Sequence, residues 1–84
     1  MRYQVVVPKK VRKELDRIDH RYRLKILAAF VVLASDPFFG KKLEGEFKGR
    51  WSYRVWSYRI IYRIRRRELV VLVLNVGHRQ GIYK

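Results

Sequence analysis

Residues 50–65 read RWSYRVWSYRIIYRIR, an alternation of aromatic or aliphatic residues with arginines. Period two is the signature of a β-strand with one buried face, so the stretch is expected to fold as a hairpin turning at Trp56-Ser57. Val55 then pairs with Tyr58, Arg54 with Arg59, Ser52 with Ile61 and Arg50 with Arg63. One face carries Trp51, Tyr53, Val55, Tyr58, Ile60, Tyr62 and Ile64, which read as core. The opposite face carries Arg50, Arg54, Arg59, Arg63 and Arg65. Like charges directly opposite each other destabilise a strand pair, so Arg54 against Arg59 points to an anion that neutralises both, and phosphate is the first candidate.

The elements around the hairpin follow from periodicity. Tyr3 to Val7 is a β-branched run ended by Pro8, which suits a first strand leading into a helix. Val11, Leu15 and Ile18 recur at helical spacing between lysines and arginines. A second helix is expected from about Tyr22 to Ser35, with Leu24, Leu27, Ala28, Val31 and Ala34 on one side and Ile26, Phe30, Val32 and Leu33 widening the apolar stripe. Asp36-Pro37 stops it, because the residue before proline is biased away from the helical region. Phe38 to Gly49 holds three glycines and three lysines and reads as a loop with a little order near Leu43. After a tight turn at Arg66-Arg67, Leu69 to Val76 is an almost wholly apolar strand, expected to be central in its sheet or covered on both faces.

The sum is an α+β domain over residues 1–84. Two N-terminal helices pack on one face of a small, mainly antiparallel, four-stranded sheet in the order β-α-α-β-β-β. The arginine face is left free. If the last strand runs antiparallel to its predecessor from a tight turn, residues 59 and 74 fall opposite each other. The tail with His78, Arg79 and Tyr83 then emerges at the end of the sheet that carries Arg54 and Arg59.

Composition narrows the partners. The 84 residues hold 21 Lys and Arg against 7 Asp and Glu, a net charge of +14. Residues 50–84 alone carry nine basic residues against the single acid Glu68. Such a surface favours a polyanion such as nucleic acid, and next an acidic protein. The 49% hydrophobic content argues against disorder, and the size permits one modest core that a partner would help to stabilise. With no cysteine, disulfides and thiolate metal sites are excluded, which fits a reducing cytoplasm. His20 and His78, far apart in sequence, make a poor metal site. The longest apolar runs are too short to span a bilayer, and no secretory signal is visible.

These residues carry a resemblance. KL.G (Lys42, Leu43, Gly45), YR (Tyr53, Arg54), YRIIY (Tyr58 to Tyr62), an apolar strand and a closing GHR...Y (Gly77, His78, Arg79, Tyr83) together resemble the RelE branch of the RelE/ParE toxin superfamily. The resemblance covers essentially the whole chain; at the hairpin turn the family often has Gly-Asp where this chain has Trp56-Ser57. It implies a cytoplasmic toxin of a toxin–antitoxin pair that enters the ribosomal A site and cuts mRNA without a metal or other cofactor. An acidic cognate antitoxin would silence it. Carried over by position, the resemblance matches the family's phosphate-contacting arginine to Arg59, its basic residue in the preceding strand to Arg54, its arginine after the last strand to Arg79 and its terminal tyrosine to Tyr83, and so marks these four as the catalytic candidates.

The chemistry such a site needs can be stated independently. Attack by a neighbouring 2′-hydroxyl requires a base for its proton, cations for the charge building on the phosphorus oxygens, and an acid for the leaving 5′-oxygen. Arginine forks match phosphate and stay charged, so Arg59 and Arg79 suit the clamp. Tyr83 exchanges a proton only if neighbouring arginines lower its pKa; His78, as an imidazole, is the other base candidate. Lys41, Lys42, Lys48, Arg50 and Arg63 are candidates for backbone contacts to RNA. Trp56, with little to pack on at a turn, is a candidate for stacking on a base or meeting the antitoxin. The function classes that survive are a ribosome-dependent endoribonuclease, a ParE-like toxin that inhibits DNA gyrase through a protein interface, and, more distantly, a passive RNA-binding module.

Overall fold

The computed structural model describes residues 2–78. Its elements are β1 (Gln4–Val6), α1 (Lys9–Asp16), α2 (His20–Ser35), β2 (Lys41–Lys42), β3 (Trp51–Val55), β4 (Tyr58–Arg65) and β5 (Val70–His78). They form the expected α+β fold, with one more strand than the sequence suggests: a five-stranded sheet ordered β1-β5-β4-β3-β2. The extra strand is β2, whose two lysines lie at the sheet edge and pair with Ser52 and Trp51. A two-residue lysine strand has no alternation to read, and lysine at an edge discourages pairing with other chains.

The hairpin register is as expected: Trp51 pairs with Tyr62, Ser52 with Ile61, Tyr53 with Ile60, Arg54 with Arg59 and Val55 with Tyr58. Ser57 makes the turn at φ 61°, a left-handed conformation that glycine or asparagine adopts more cheaply. Arg50 lies just before β3, with its guanidinium 5.7 Å from the centre of the Phe47 ring.

The apolar strand β5 is central, flanked by β1 in parallel and β4 antiparallel. Its register differs from expectation: Arg59 faces Gly77, and Tyr58 faces His78. Two features cause the shift. The β4–β5 turn is longer than a tight hairpin, with Leu69 at φ 54°, and a bulge falls where Ile61 meets Asn75 but Tyr62 meets Val73.

One layer of helices covers one sheet face. Val11, Leu15 and Ile18 from the first helix region meet Ile26, Ala29, Phe30 and Leu33 of α2 and Ile60, Tyr62, Val71, Val73 and Val76 of the sheet. Glu14 ties α1 to the sheet, accepting the Val76 N–H at 3.0 Å and the Asn75 side-chain amide at 3.5 Å. Asp19 caps α2 by accepting the Arg21 N–H at 2.9 Å. That bond, with the Arg21 guanidinium beside it, holds the Asp19 carboxyl below its ordinary range.

The face of α2 is a correction. Ile26, Ala29, Phe30 and Leu33 point inward, whereas Leu24, Leu27 and Val31 are 53%, 43% and 60% exposed. Ala28 lies on the same exposed side. Because the helix is apolar nearly all round, periodicity alone cannot choose the buried side.

No described helix is long and apolar enough to cross a membrane.

Candidate functional site

The site is built on the hairpin face that turns away from the helices. Strand alternation sends Tyr53, Val55, Tyr58, Ile60 and Tyr62 into or against the core and Ser52, Arg54, Arg59 and Ile61 to the other side. Arg54 is exposed, Arg59 is partly buried, and the Arg59 Nη1 donates a hydrogen bond to the buried Ser52 hydroxyl at 3.3 Å. Ser52 thus fixes the direction of one guanidinium of the opposed pair. No negative charge of this strand pair lies between them, since neither strand contains an acid.

The arginines line a pocket of about 470 Å³ whose wall also includes Phe39, Gly40, Lys41, Ser52 and Tyr53. Lys41 reaches it because β2 pairs with β3 at Ser52. The pocket therefore combines two permanent cations, a lysine and a hydroxyl with an exposed aromatic ring. A phosphate diester fits that chemistry: its oxygens accept from guanidinium forks and the ammonium, and its base meets an apolar surface.

The segment from Pro37 to Gly40 is held by Tyr62. The buried Tyr62 hydroxyl donates to the Pro37 carbonyl oxygen at 2.7 Å and accepts from the Gly40 N–H. Burial pushes this hydroxyl up to about 12, against the lowering influence of the Gly40 bond. Asp36 accepts the Phe38 N–H at 3.0 Å. Gly40 admits no side chain, because a Cβ there would collide with the Tyr62 hydroxyl and stand 2.8 Å from the Ser52 carbonyl oxygen.

The other sequence candidates distribute as follows. Lys42 is the second residue of β2, and Lys48 is exposed after a single 3-10 turn at Gly45–Phe47. Arg63 is exposed on β4, and its Nη1 would lie 3.3 Å from a Cβ at Gly49. Trp56 is 73% exposed at the hairpin tip but does not line the pocket. His78 ends β5 opposite Tyr58, so it shares the helix-side face; its ring centre lies 5.0 Å from that of Tyr58, whose ring in turn meets that of Tyr22 at 5.5 Å with a 45° tilt. Arg79 and Tyr83 lie outside the described residues. Among the described residues no group of three His, Cys, Asp or Glu side chains is gathered as a metal would require.

Sequence reasoning passed over Ser52, Phe39 and Gly40. Ser52 was legible in principle as the lone small polar residue among the arginines of its face. Phe39 and Gly40 join the site only through long-range packing on Tyr62, which no local pattern announces.

Comparison with known proteins places this geometry in a family. The ParE toxin family of type II toxin–antitoxin systems, parDE, matches residues 5–83. Toxin RelG of Mycobacterium tuberculosis is 34% identical over 86 aligned residues, covering 100% of this chain and 99% of RelG. Among solved structures, the toxin–antitoxin complex RelBE2 of the same organism holds a chain that superposes with a TM-score of 0.87 at 32% identity, covering 94% of this chain and 100% of that one. The archaeal RelE–RelB complex of Pyrococcus horikoshii gives a TM-score of 0.82 at 26% identity, with coverage of 96% and 99%. The chain belongs to the ParE toxin family and is a RelE-like toxin of a toxin–antitoxin system within the RelE/ParE superfamily.

Proposed function

We propose that the protein is a cytoplasmic, ribosome-dependent endoribonuclease that cuts mRNA in the A site without a metal. The observation that carries the reading is the direct opposition of Arg54 and Arg59 over a pocket that also holds Lys41 and Ser52. Opposed guanidinium groups cost stability unless they serve an anion. A phosphodiester supplies one.

In the proposed reaction the 2′-oxygen attacks the adjacent phosphorus and the bond from phosphorus to the 5′-oxygen breaks. The products are a 2′,3′-cyclic phosphate and a 5′-hydroxyl. Arg54, Arg59 and Arg79 hold the charge that builds on the non-bridging oxygens. Tyr83 takes the 2′ proton, and a second proton transfer caps the leaving oxygen. The position of His78 against Tyr58, on the opposite sheet face from Arg54 and Arg59, favours Tyr83 over His78 for this role. Lys41, Lys42, Lys48, Arg50, Arg63 and Trp56 contact RNA around the site, chiefly its phosphates.

The partner outside the ribosome is an acidic antitoxin. Relatives solved as toxin–antitoxin complexes support it, as does the exposed ridge of Leu24, Leu27 and Val31. A surface with a net charge of +14 disfavours self-association and suits an acidic amphipathic helix laid on that ridge.

The family's description by ParE keeps one alternative in view, a toxin that inhibits DNA gyrase through a protein interface. A reconstituted translation reaction and a gyrase supercoiling assay, run with the same purified toxin, decide between them. The nuclease reading requires new 5′-hydroxyl ends within A-site codons and unaffected supercoiling; intact mRNA with blocked supercoiling establishes the alternative.

A further inference from the structure

Phe39 has a combination of properties that packing does not explain. It is 65% exposed, yet its backbone belongs to a 3-10 turn, Pro37–Phe39, that is hydrogen-bonded on both sides. Tyr62 grips the Pro37 carbonyl and the Gly40 N–H on either side of it, Asp36 accepts the Phe38 N–H, and Pro37 is buried. An exposed apolar ring on a loose loop would be unremarked surface. A ring carried on a pinned backbone, at the wall of the pocket that contains both opposed arginines, spares binding the cost of ordering that backbone. Among the described residues, the exposed aromatics Phe38 and Trp56 do not line that pocket.

We propose that Phe39 is a stacking platform for the nucleobase adjoining the phosphate held by Arg54 and Arg59, so that Phe39, Lys41 and the two arginines form one nucleotide subsite. This rests on the nuclease reading above and adds a determinant of affinity and base preference to it. The ligand class is a single-stranded ribonucleotide with its base turned out, because a paired and stacked base offers no free face. Since every base has such a face, the subsite sets binding strength first. Purines, with the larger surface, gain more from it.

The test uses ribosomes programmed with mRNA that carries 2-aminopurine in turn at each position of the A-site codon and a 2′-deoxy sugar at the scissile position. Wild-type toxin quenches the fluorescence of one position by stacking. Phe39→Ala abolishes that quenching and weakens half-saturation of cleavage of the all-ribose mRNA by roughly tenfold or more, the ordinary effect of losing one base stack. The maximal rate changes less than the half-saturation point. Phe39→Trp restores both signals, and Phe39→Leu, apolar but without a π-face, restores neither. Unchanged quenching and half-saturation in Phe39→Ala overturn the proposal, as does a loss confined to antitoxin affinity. Wild-type toxin that neither binds nor cuts on programmed ribosomes refutes the nuclease reading itself, an outcome distinct from a silent Phe39 variant. Because the side chain is largely exposed, these variants fold.

Discussion

Arg54 and Arg59 stand directly opposite each other across β3 and β4, and they differ in freedom: Arg59 is partly buried and donates to Ser52, whereas Arg54 is exposed. One guanidinium is therefore aimed and the other can close on a ligand. Like charges at directly paired positions oppose the fold, and an anion between them reverses the sign.

That relationship predicts a stability effect without RNA. At low ionic strength Arg54→Gln raises stability by roughly 0.2–1 kcal/mol, the range for a cross-strand pair, equivalent to a few degrees in Tm for a domain this small. Inorganic phosphate raises the Tm of the wild type more than that of the variant. Calorimetry with and without phosphate checks both, and identical phosphate responses contradict an anion site at this pair.

The exposed ridge of α2 predicts where the antitoxin holds on. Leu24→Ser combined with Val31→Ser lowers antitoxin affinity by at least about tenfold, because anchoring apolar side chains carry most of an interface's energy. Both residues are already more than half exposed, so the Tm of the free toxin changes little. The ridge lies on the far side of the molecule from the arginine face, so mRNA cleavage by the free double variant is preserved. Titration calorimetry measures the first effect; full antitoxin affinity in the double variant removes the ridge from the interface.

Tyr62 predicts an alkaline limit. Its folded pKa, about 12, exceeds the ordinary 10.0, so the folded state favours the protonated hydroxyl. The stability it contributes is complete below pH 10 and is lost as pH rises from about 10 toward 12. Tyr62→Phe destabilises by about 1–3 kcal/mol at neutral pH, because Pro37 and Gly40 lose their buried partner, and it removes this part of the pH dependence. Denaturant unfolding across pH 8–11 tests it, with a wild type and variant that decline in parallel as the opposing result.

The hairpin register was legible because the turn at Trp56-Ser57 and the alternation around it admit one alignment, and it brought Arg54 to Arg59 from sequence alone. What escaped was decided over longer range. The register of β5 depended on Leu69 at φ 54° and on the bulge beside Ile61, neither marked by a glycine. That shift sets His78 against Tyr58 on the helix-side face. The buried side of α2 was hidden by an apolar residue on every side of the helix, and β2 by its two lysines. Ser52 and Phe39 enter the site only when β2, the Pro37 turn and Tyr62 assemble around it.

Proton transfer and charge binding separate in their mutants. Tyr83→Phe removes one hydroxyl and slows single-turnover cleavage by about 10²-fold to 10⁴-fold, with ribosome binding nearly normal. His78→Ala, which removes a ring packed on Tyr58, slows it far less. Arg79→Lys keeps the charge but loses the fork and stays impaired. A large rate loss in His78→Ala with none in Tyr83→Phe moves the base to His78.

The central claim is that the opposed arginines bind a scissile phosphate, and single-turnover mRNA cleavage by Arg59→Ala on programmed ribosomes, measured across a salt series, tests it most directly. The predicted result is a rate lower by about 10²-fold or more at saturating ribosomes, as for loss of one transition-state donor, with a log–log salt slope of binding reduced by roughly one. A variant that cuts at the wild-type rate with an unchanged salt slope contradicts the account.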